Sequence, residues 1–526
     1  MLRVSVSPWQ KDIKMIIKGI IKKGEYYDSV TLMLAAKQLG GLPGVIDSAI
    51  VMGTAENRAI LESSGLLLDE FKASIDSDLL IAVKAEDEKA ASTAMAEAGN
   101  ALKSLRHASG RTDEAQPRSL DEAINMLPGA NLAMISVAGR FAGDVAMRAL
   151  QRGLHVMLFS DNVPLEQEVA LKQYAAERGL LVMGPDCGTA IINGAPLAFA
   201  NVVTRGDIGV VAAAGTGMQE VTCLISNAGA GVSQAIGTGG RDIKREVGGL
   251  MFMQGIRMLD ADPETKVILL VSKPPHPEVL EKIGAEVKGL KKPVVAVFLG
   301  ADPKMIDIYG MRPAATLDEA ARMAVALSLG NEPPAEKDAN ISGMAQAEAR
   351  KLANGQRYIR GLFSGGTFCY EAQLLLQDMK DDVFSNAPTG KSRKLEDTRQ
   401  STKHTVIDLG EDEFTVGRPH PMIDFSLRNK RIVQEAQDPG TAVILFDLVL
   451  GYGSHPDPLN EIVPAIKEAQ GIAKENKRGL LFVASVTGTD QDPQNRSKVV
   501  AWLKDNGVLV AGSNAAACRL AGKIVS

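Results

Sequence analysis

Apolar and polar positions alternate along the chain in short blocks, and the period switches repeatedly between strand and helix spacing. From Ile16 the blocks read as strand (IIKGIIKK), helix (Asp28 to Gln38), strand (VIDSAIVMG), helix (Glu56 to Ser63), strand (DLLIAVKA) and helix (Glu88 to Leu105). Elements this short predict a small α+β sandwich over 16–106 with helices on one face. The polar stretch SGRTDEAQPRS then reads as a linker. A second unit over 119–204 follows: strand LAMISVAG, a helix through Arg140 and Phe141 to Gly153, strand LHVMLFS, helix Leu165 to Arg178, strand LLVMG, and the turn Pro185 to Thr189. That order predicts a parallel, doubly wound sheet, which takes ligands at the carboxyl ends of its strands. Ser160, Asp161 and Asn162 follow one such end, and Asp186, Cys187 and Gly188 follow another. Asp161 and Asn162 are equally suited to capping the next helix.

The stretch Gly206 to Glu220, GDIGVVAAAGTGMQE, predicts a buried strand, a glycine turn at Gly215 and Gly217, and an immediate helix. Such a helix start offers unpaired N–H groups to an anion, with Thr216 at hand to cap the helix or touch the guest. RGLFSGGTFCYE repeats the pattern, Gly366, Thr367 and Glu371 matching Gly215, Thr216 and Glu220. Downstream, LDADPETKVILLVSKPP has its counterpart in EAQDPGTAVILFDLVLGYG. The agreement predicts a duplicated domain, 205–329 and 356–526, with a site for a charged group between the copies. Gly215, Thr216 and Gly217 of one copy and Gly365, Gly366 and Thr367 of the other are the candidate anion binders. Gly239, Gly240 and Arg241 add a glycine turn and a carboxylate or phosphate clamp. Lys273, at a strand end before two prolines, meets an anion or is simply exposed.

The second copy is interrupted by the polar stretch Asp381 to Arg399, read as a flap or disordered loop. VGRPHPMID follows, where Arg418 and His420 stand between prolines; His420 suits proton transfer or phosphate acceptance, and Arg418 a clamp. His455 is a second candidate. The 26 residues Gly330 to Gly355 read as a linker with one helix.

With 526 residues the chain is too long for one core, and 45% hydrophobic content equips several. A net charge of −5 without a basic block argues against nucleic acid. No apolar run approaches the ~20 residues of a membrane span, and MLRVSVSPWQKDIK lacks a signal-peptide core, so a cytoplasmic location is expected. Four scattered cysteines predict reduced, buried thiols and no metal site.

The turn GTGMQE after GDIGVV, the turn GPDCGT and the duplicated unit resemble the CoA-binding and ligase domains of succinyl-CoA synthetase. MLFSDNV, GLLVMGPDCGTAIING, GTGGRDI, VSKPP and VGRPHPMID are similar to the FdrA family, in its YahF-like branch, over nearly the whole chain. The resemblance implies a multidomain α/β fold: a Rossmann-like CoA-binding-type domain and two flavodoxin-like synthetase-type domains behind the N-terminal sandwich. It also implies a subunit working with two further subunits in allantoin-type purine nitrogen catabolism, exchanging a carbamoyl group between oxamate and phosphate. Phosphate, carbamoyl phosphate or CoA is then the ligand, with no cofactor assigned, and self-association stays open. An ADP-forming acyl-CoA ligase is the alternative, although LGADPKMIDIYGMRPAAT lacks the histidine such a ligase carries there, and no ATP-grasp module is apparent. A non-catalytic scaffold binding CoA or a metabolite is the third reading.

Overall fold

The structure is a computed structural model that describes residues 15–25, 27, 29–108, 117, 119–332, 339–415 and 419–526. It divides into two compact units, 1–119 with Asp412–Pro419, and 120–411 with 420–526.

In the first unit β1 (Ile16–Lys23), α1 (Ser29–Gly40), β2 (Val45–Met52), α2 (Ala55–Ser63), β3 (Asp78–Ala85) and α3 (Glu88–Ala108) build an antiparallel sheet of order β1-β3-β2. The central strand is apolar at nearly every position, because both of its faces are covered. Leu79, Ile81 and Val83 share a core with Leu32 and Leu39 of α1 and Ala91 and Ala98 of α3. Leu80 and Ala82 point the other way, onto Leu61, Leu66 and Phe71. Helices on one face alone are therefore not what forms; the stretch from α2 to Phe71 closes the second face.

The second unit opens with α4 (Leu120–Met126), β4 (Leu132–Ile135), α5 (Gly139–Gln151), β5 (His155–Leu158), α6 (Leu165–Ala176) and β6 (Val182–Met183), whose three strands are parallel in the order β4-β5-β6. The hairpin β7 (Thr189–Ile192) and β8 (Ala195–Ala198) leaves that sheet and pairs antiparallel with the next one, Ile191 opposite Ala235.

The first module comprises β9 (Arg205–Ala212), α7 (Gly215–Asn227), β10 (Val232–Gly237), α8 (Leu250–Ala261), β11 (Val267–Ser272), α9 (Pro277–Val287), β12 (Val294–Phe298), α10 (Pro303–Asp307), β13 (Arg312–Pro313) and α11 (Leu317–Ser328). After α12 (Ala339–Ala349) come β14 (Tyr358–Phe363), α13 (Gly366–Gln377), β15 (Val383–Ser385), β16 (Arg393–Lys394), β17 (His404–Asp408) and α14 (Asp412–Thr415). The chain ends with α15 (Ser426–Glu435), β18 (Thr441–Val449), α16 (Pro458–Glu475), β19 (Leu481–Thr487), α17 (Arg496–Asp505), β20 (Val508–Ala511) and α18 (Asn514–Ile524).

The sheet orders are β13-β12-β11-β9-β10-β7-β8 and β20-β19-β18-β14-β17-β15-β16. The five parallel strands agree in order, β13-β12-β11-β9-β10 with β20-β19-β18-β14-β17, so that part of the repeat is a repeat of topology. The two further edge strands differ, β7 and β8 being an antiparallel hairpin that precedes β9, and β15 and β16 parallel strands between β14 and β17 in the chain. The stretch 381–399 is no free flap: its short strands β15 and β16 extend the sheet beyond β17. Strands β11, β12, β18 and β19 are buried throughout, as parallel strands covered on both faces must be. One core runs through both modules, joining Met218, Val221 and Ile225 of α7, Leu317 and Ala321 of α11, Phe368 and Ala372 of α13, and Ala517 and Leu520 of α18.

Candidate active site at the module junction

The two glycine-rich helix starts meet. A methyl group at Gly217 would lie 3.0 Å from Thr367 Cγ2, and one at Gly365 would lie 3.0 Å from Thr216 Cγ2, a reciprocal contact that a side chain at either position would crowd. Neither helix has a side-chain cap at its N-cap residue, Ala214 or Gly365. Thr216, Gly217 and Thr367 are buried in the contact and Gly239 packs on the Pro185 turn, whereas Gly215 and Gly240 are exposed. The first start is thus open to an anion through Gly215.

The second start already holds carboxylates, which the glycine pattern did not foretell. Asp447 of β18 accepts hydrogen bonds from Ser364 N (2.7 Å), Ser364 Oγ (2.7 Å) and Gly365 N (2.9 Å). Arg428 of α15, fully buried, donates through Nη1 to the Asp447 carbonyl (2.7 Å) and stacks on Phe425 at 4.3 Å from the ring centroid. At the corresponding place in the first module stands Val271. The anion site expected at Gly365, Gly366 and Thr367 is therefore corrected: dipole and amides there are answered by the protein's own aspartates. The second of these is Asp408, which ends β17 with its Oδ2 2.8 Å from where a methyl at Gly366 would sit. Burial pushes its carboxyl up to about 7 against the Gly410 N–H it accepts, with Lys273 of the first module opposing and Asp447 adding to the rise. Lys273 is exposed, its Nζ 5.0 Å above the Tyr370 ring.

His420 reaches the same place. A methyl at Gly410 would lie 2.9 Å from His420 Nε2 and 3.2 Å from Asp408 Oδ1. Burial, then Arg428, pushes its pKa down to about 4, so the ring is neutral near pH 7. Nδ1 accepts from Met422 N at 3.3 Å, which leaves the ring proton on Nε2. Its Nε2–H is thereby placed as a hydrogen-bond donor, beside the expectation of proton transfer or phosphate acceptance. Arg418 lies outside the described residues. His455 packs on Phe425 and accepts from Asp457 N.

Arg241 is committed elsewhere: its Nε pairs with Glu168 Oε2 (2.7 Å) and Nη2 donates to the Val163 carbonyl. It belongs to a buried cluster in which Lys172 donates to Glu168, Asp242 and the Thr238 carbonyl, fastening the Rossmann-like layer to the first module. A free clamp is thereby replaced by a strut. In the strand-end loops Ser160 is buried and accepts from Val137 N, and Asp161, Asn162 and Asp186 are exposed. Asp161 and Asn162 do not cap α6, whose N-cap is Pro164 without a side-chain bond. Cys187 is buried beside Gly188 with its thiol pushed up to about 12 by desolvation, which makes it inert filler.

Each module caps the last helix of the other. Glu371 accepts from Leu317 N at the start of α11 (2.9 Å) and from Asn514 Nδ2 (2.8 Å), while Glu220 accepts from Asn514 N at the start of α18 (2.9 Å) and from Thr487 Oγ1 (2.5 Å). Desolvation raises both carboxyls, Glu371 to about 7. A group raised on folding contributes stability that is complete below its unfolded value and lost as pH climbs through the folded one. Stability is therefore expected to fall between about pH 4.5 and 7, and Glu371→Gln to flatten that fall by up to about 1.4 kcal/mol per pH unit. Urea melts across this range measure it.

With this geometry described, relatives place the chain. A family model for a CoA-ligase domain matches residues 362–524. The chain is 31% identical over 175 residues to the alpha 1 subunit of ADP-forming succinate–CoA ligase from Archaeoglobus fulgidus, covering 32% of this chain and 58% of that protein. It is 29% identical over 181 residues to the ADP-forming sulfoacetate-CoA ligase subunit SauD of Bilophila wadsworthia, covering 32% and 59%. Among solved structures, PH0766 from Pyrococcus horikoshii OT3 aligns over 79% of this chain and 88% of its own at 16% identity and a TM-score of 0.34. Paired modules apposed at glycine-rich helix starts, one of them a CoA-ligase domain, define an acyl-CoA-synthetase-like protein. The chain belongs to the FdrA family, in its YahF-like branch, being 44% identical over 501 residues, 95% of this chain and 97% of its relative, to the uncharacterized protein YahF of Escherichia coli K12.

A further model, described as AllF, heavy metal-associated domain, matches residues 15–118. The donor set there does not fit such an ion: the four cysteines are Cys187, Cys223, Cys369 and Cys518. Among the described residues no group of three or more His, Cys, Asp or Glu could hold a metal. No described helix is long and apolar enough to cross a membrane.

Proposed function

We propose that this chain is a subunit of an acyl-CoA-ligase-type enzyme and that an acyl group passes to or from phosphate at the module junction. The observation carrying the reading is the reciprocal contact of two glycine-rich helix starts, Gly217 on Thr367 and Gly365 on Thr216, with Gly215 exposed. Phosphate would bind the open start at Gly215. His420 Nε2–H would donate to oxygen carrying developing negative charge, a role that positioning and preorganised dipoles support without a proton on the move. Asp161, Asn162 and Asp186, exposed beyond the strand ends, are where CoA would be met, and two further subunits would supply what this chain lacks. The reading draws support from the CoA-ligase domain and the acyl-CoA ligase relatives.

One observation favours a second reading, carbamoyl transfer between oxamate and phosphate in purine nitrogen catabolism. Residues 299–316 carry no histidine, and His420 is buried with its proton on Nε2, so neither offers a ready carrier for a phosphohistidine relay. Carbamoyl transfer needs none.

The assembled complex, isolated with its co-purifying subunits, separates the two. Acyl-CoA-dependent formation of ATP from ADP and phosphate supports the ligase. Oxamate-dependent phosphate release from carbamoyl phosphate, indifferent to CoA, supports the carbamoyltransferase, and neither activity leaves a scaffold. In whichever assay is positive, His420→Ala is expected to lower turnover at least tenfold, about 1.4 kcal/mol in the barrier, with an unchanged circular dichroism spectrum. Full turnover in that variant removes His420 from the chemistry.

A further inference from the structure

We infer that the Phe199 ring is the apolar wall of the module junction and that it keeps an activated acyl group for transfer by holding water off it. The inference rests on the junction being the transfer site. Phe199 follows β8, and a chain of contacts carries it into that site. A methyl at Gly215, the open helix start, would lie 3.8 Å from Thr189 Oγ1, and that hydroxyl donates to the Phe199 carbonyl at 2.7 Å. The Phe199 ring then meets His420, with 6.3 Å between the ring centroids. Phe159, just past β5 and ahead of the loop Ser160 to Asn162, stacks on Phe199 at 5.7 Å with 26° between the ring planes. Both rings are half-buried, and Phe199 also packs on the core shared by the two modules, so the pair stands between the helix starts and solvent on this side.

The backbone around the ring is held to aim it. Ala198 takes a left-handed φ of +57°, a conformation that costs a residue with a Cβ and persists only where its surroundings impose it. Phe199 N donates to the Gly188 carbonyl at 2.8 Å, which fixes the next residue from the other side. Space for the ring depends on Gly453, where a methyl would stand 2.7 Å from Phe199 Cδ1.

An acyl phosphate gives such a wall a task. In transfer, a CoA thiolate attacks the carbonyl carbon, a C–S bond forms, the C–O bond to phosphate breaks, and phosphate leaves with the electron pair. Water attacking the same carbon forms a C–O bond instead, releasing phosphate, a carboxylate and a proton, and the activated group is lost. Closing a site against water suppresses that second route, and an aromatic ring offers an approaching water little to bond.

Acetyl phosphate and CoA supplied to the assembled complex test this, because phosphate release counts both routes and thioester formation counts transfer alone. The wild type is expected to release about one phosphate per thioester and Phe199→Ala at least about three, while Phe199→Leu, which refills the space with an apolar side chain, returns to about one. Phe159→Ala, removing only the outer ring, should fall between, and it decides the matter should Phe199→Ala not fold. A loss of stability alone lowers both products together and leaves their ratio unmoved. A wild-type ratio of about three or more, or a ratio of about one in both alanine variants, overturns the role of Phe199 alone. No thioester from the wild type overturns the transfer-site reading and this inference with it.

Discussion

Replacing Asp447 with alanine is expected to destabilise the protein by about 3–5 kcal/mol, the usual cost of stranding a buried charge. The carboxylate accepts from Ser364 N, Ser364 Oγ and Gly365 N and faces Arg428, itself fully buried. Its removal leaves a guanidinium that stays protonated in an apolar layer, and two backbone N–H groups at a helix start with no acceptor. Asp447→Asn keeps the shape and one acceptor oxygen, so roughly half the loss is expected. Asp447→Leu combined with Arg428→Met removes the stranded charge and should recover part of it, short of wild type because Ser364 N and Gly365 N remain unsatisfied. Denaturant melts of the four proteins provide the comparison. A loss under about 1 kcal/mol for Asp447→Ala would mean water replaces the carboxylate.

Gly365→Ala is expected to reduce turnover at least tenfold while lowering stability far less. The new methyl would stand 2.7 Å from Phe368 Cδ2 and 3.0 Å from Thr216 Cβ and Cγ2, distances that force the two helix starts apart by tenths of an ångström. Catalysis by positioning is sensitive to displacements of that size, whereas a packed core absorbs part of them. Thr216→Ser removes one of the crowding atoms, so the double variant should regain activity beyond the sum of the single effects. Additive effects would show that the contact is not where the two modules are coupled.

Much of this architecture was legible in the chain. Parallel strands buried on both faces read as unbroken apolar runs, which is why VILLVS and VILFDLV announced themselves, and glycine at a strand-to-helix turn is conspicuous wherever backbones approach closely. The duplicated spacing of Gly215, Thr216 and Glu220 in Gly366, Thr367 and Glu371 located the junction. One signal went unused: an aspartate inside the apolar run of β18 and an arginine buried on α15 are costly unless paired, and each pointed to the other. Asp408 carried no such mark, since a strand-end aspartate is ordinary in loops.

What the linear order settles is local: periodicity, turns and the repeat, because each depends on neighbours within a few residues. Only the folded chain decides which polar groups meet. Arg241 became a strut because Glu168 lies across from it, and the helix starts became unequal because Val271 in one module is Asp447 in the other. Glu220 and Glu371 each cap a helix of the opposite module over sequence separations of 294 and 54 residues. Electrostatics and hydrogen bonding act through space over a few ångströms, so pairings of that kind exist only once the two modules have packed.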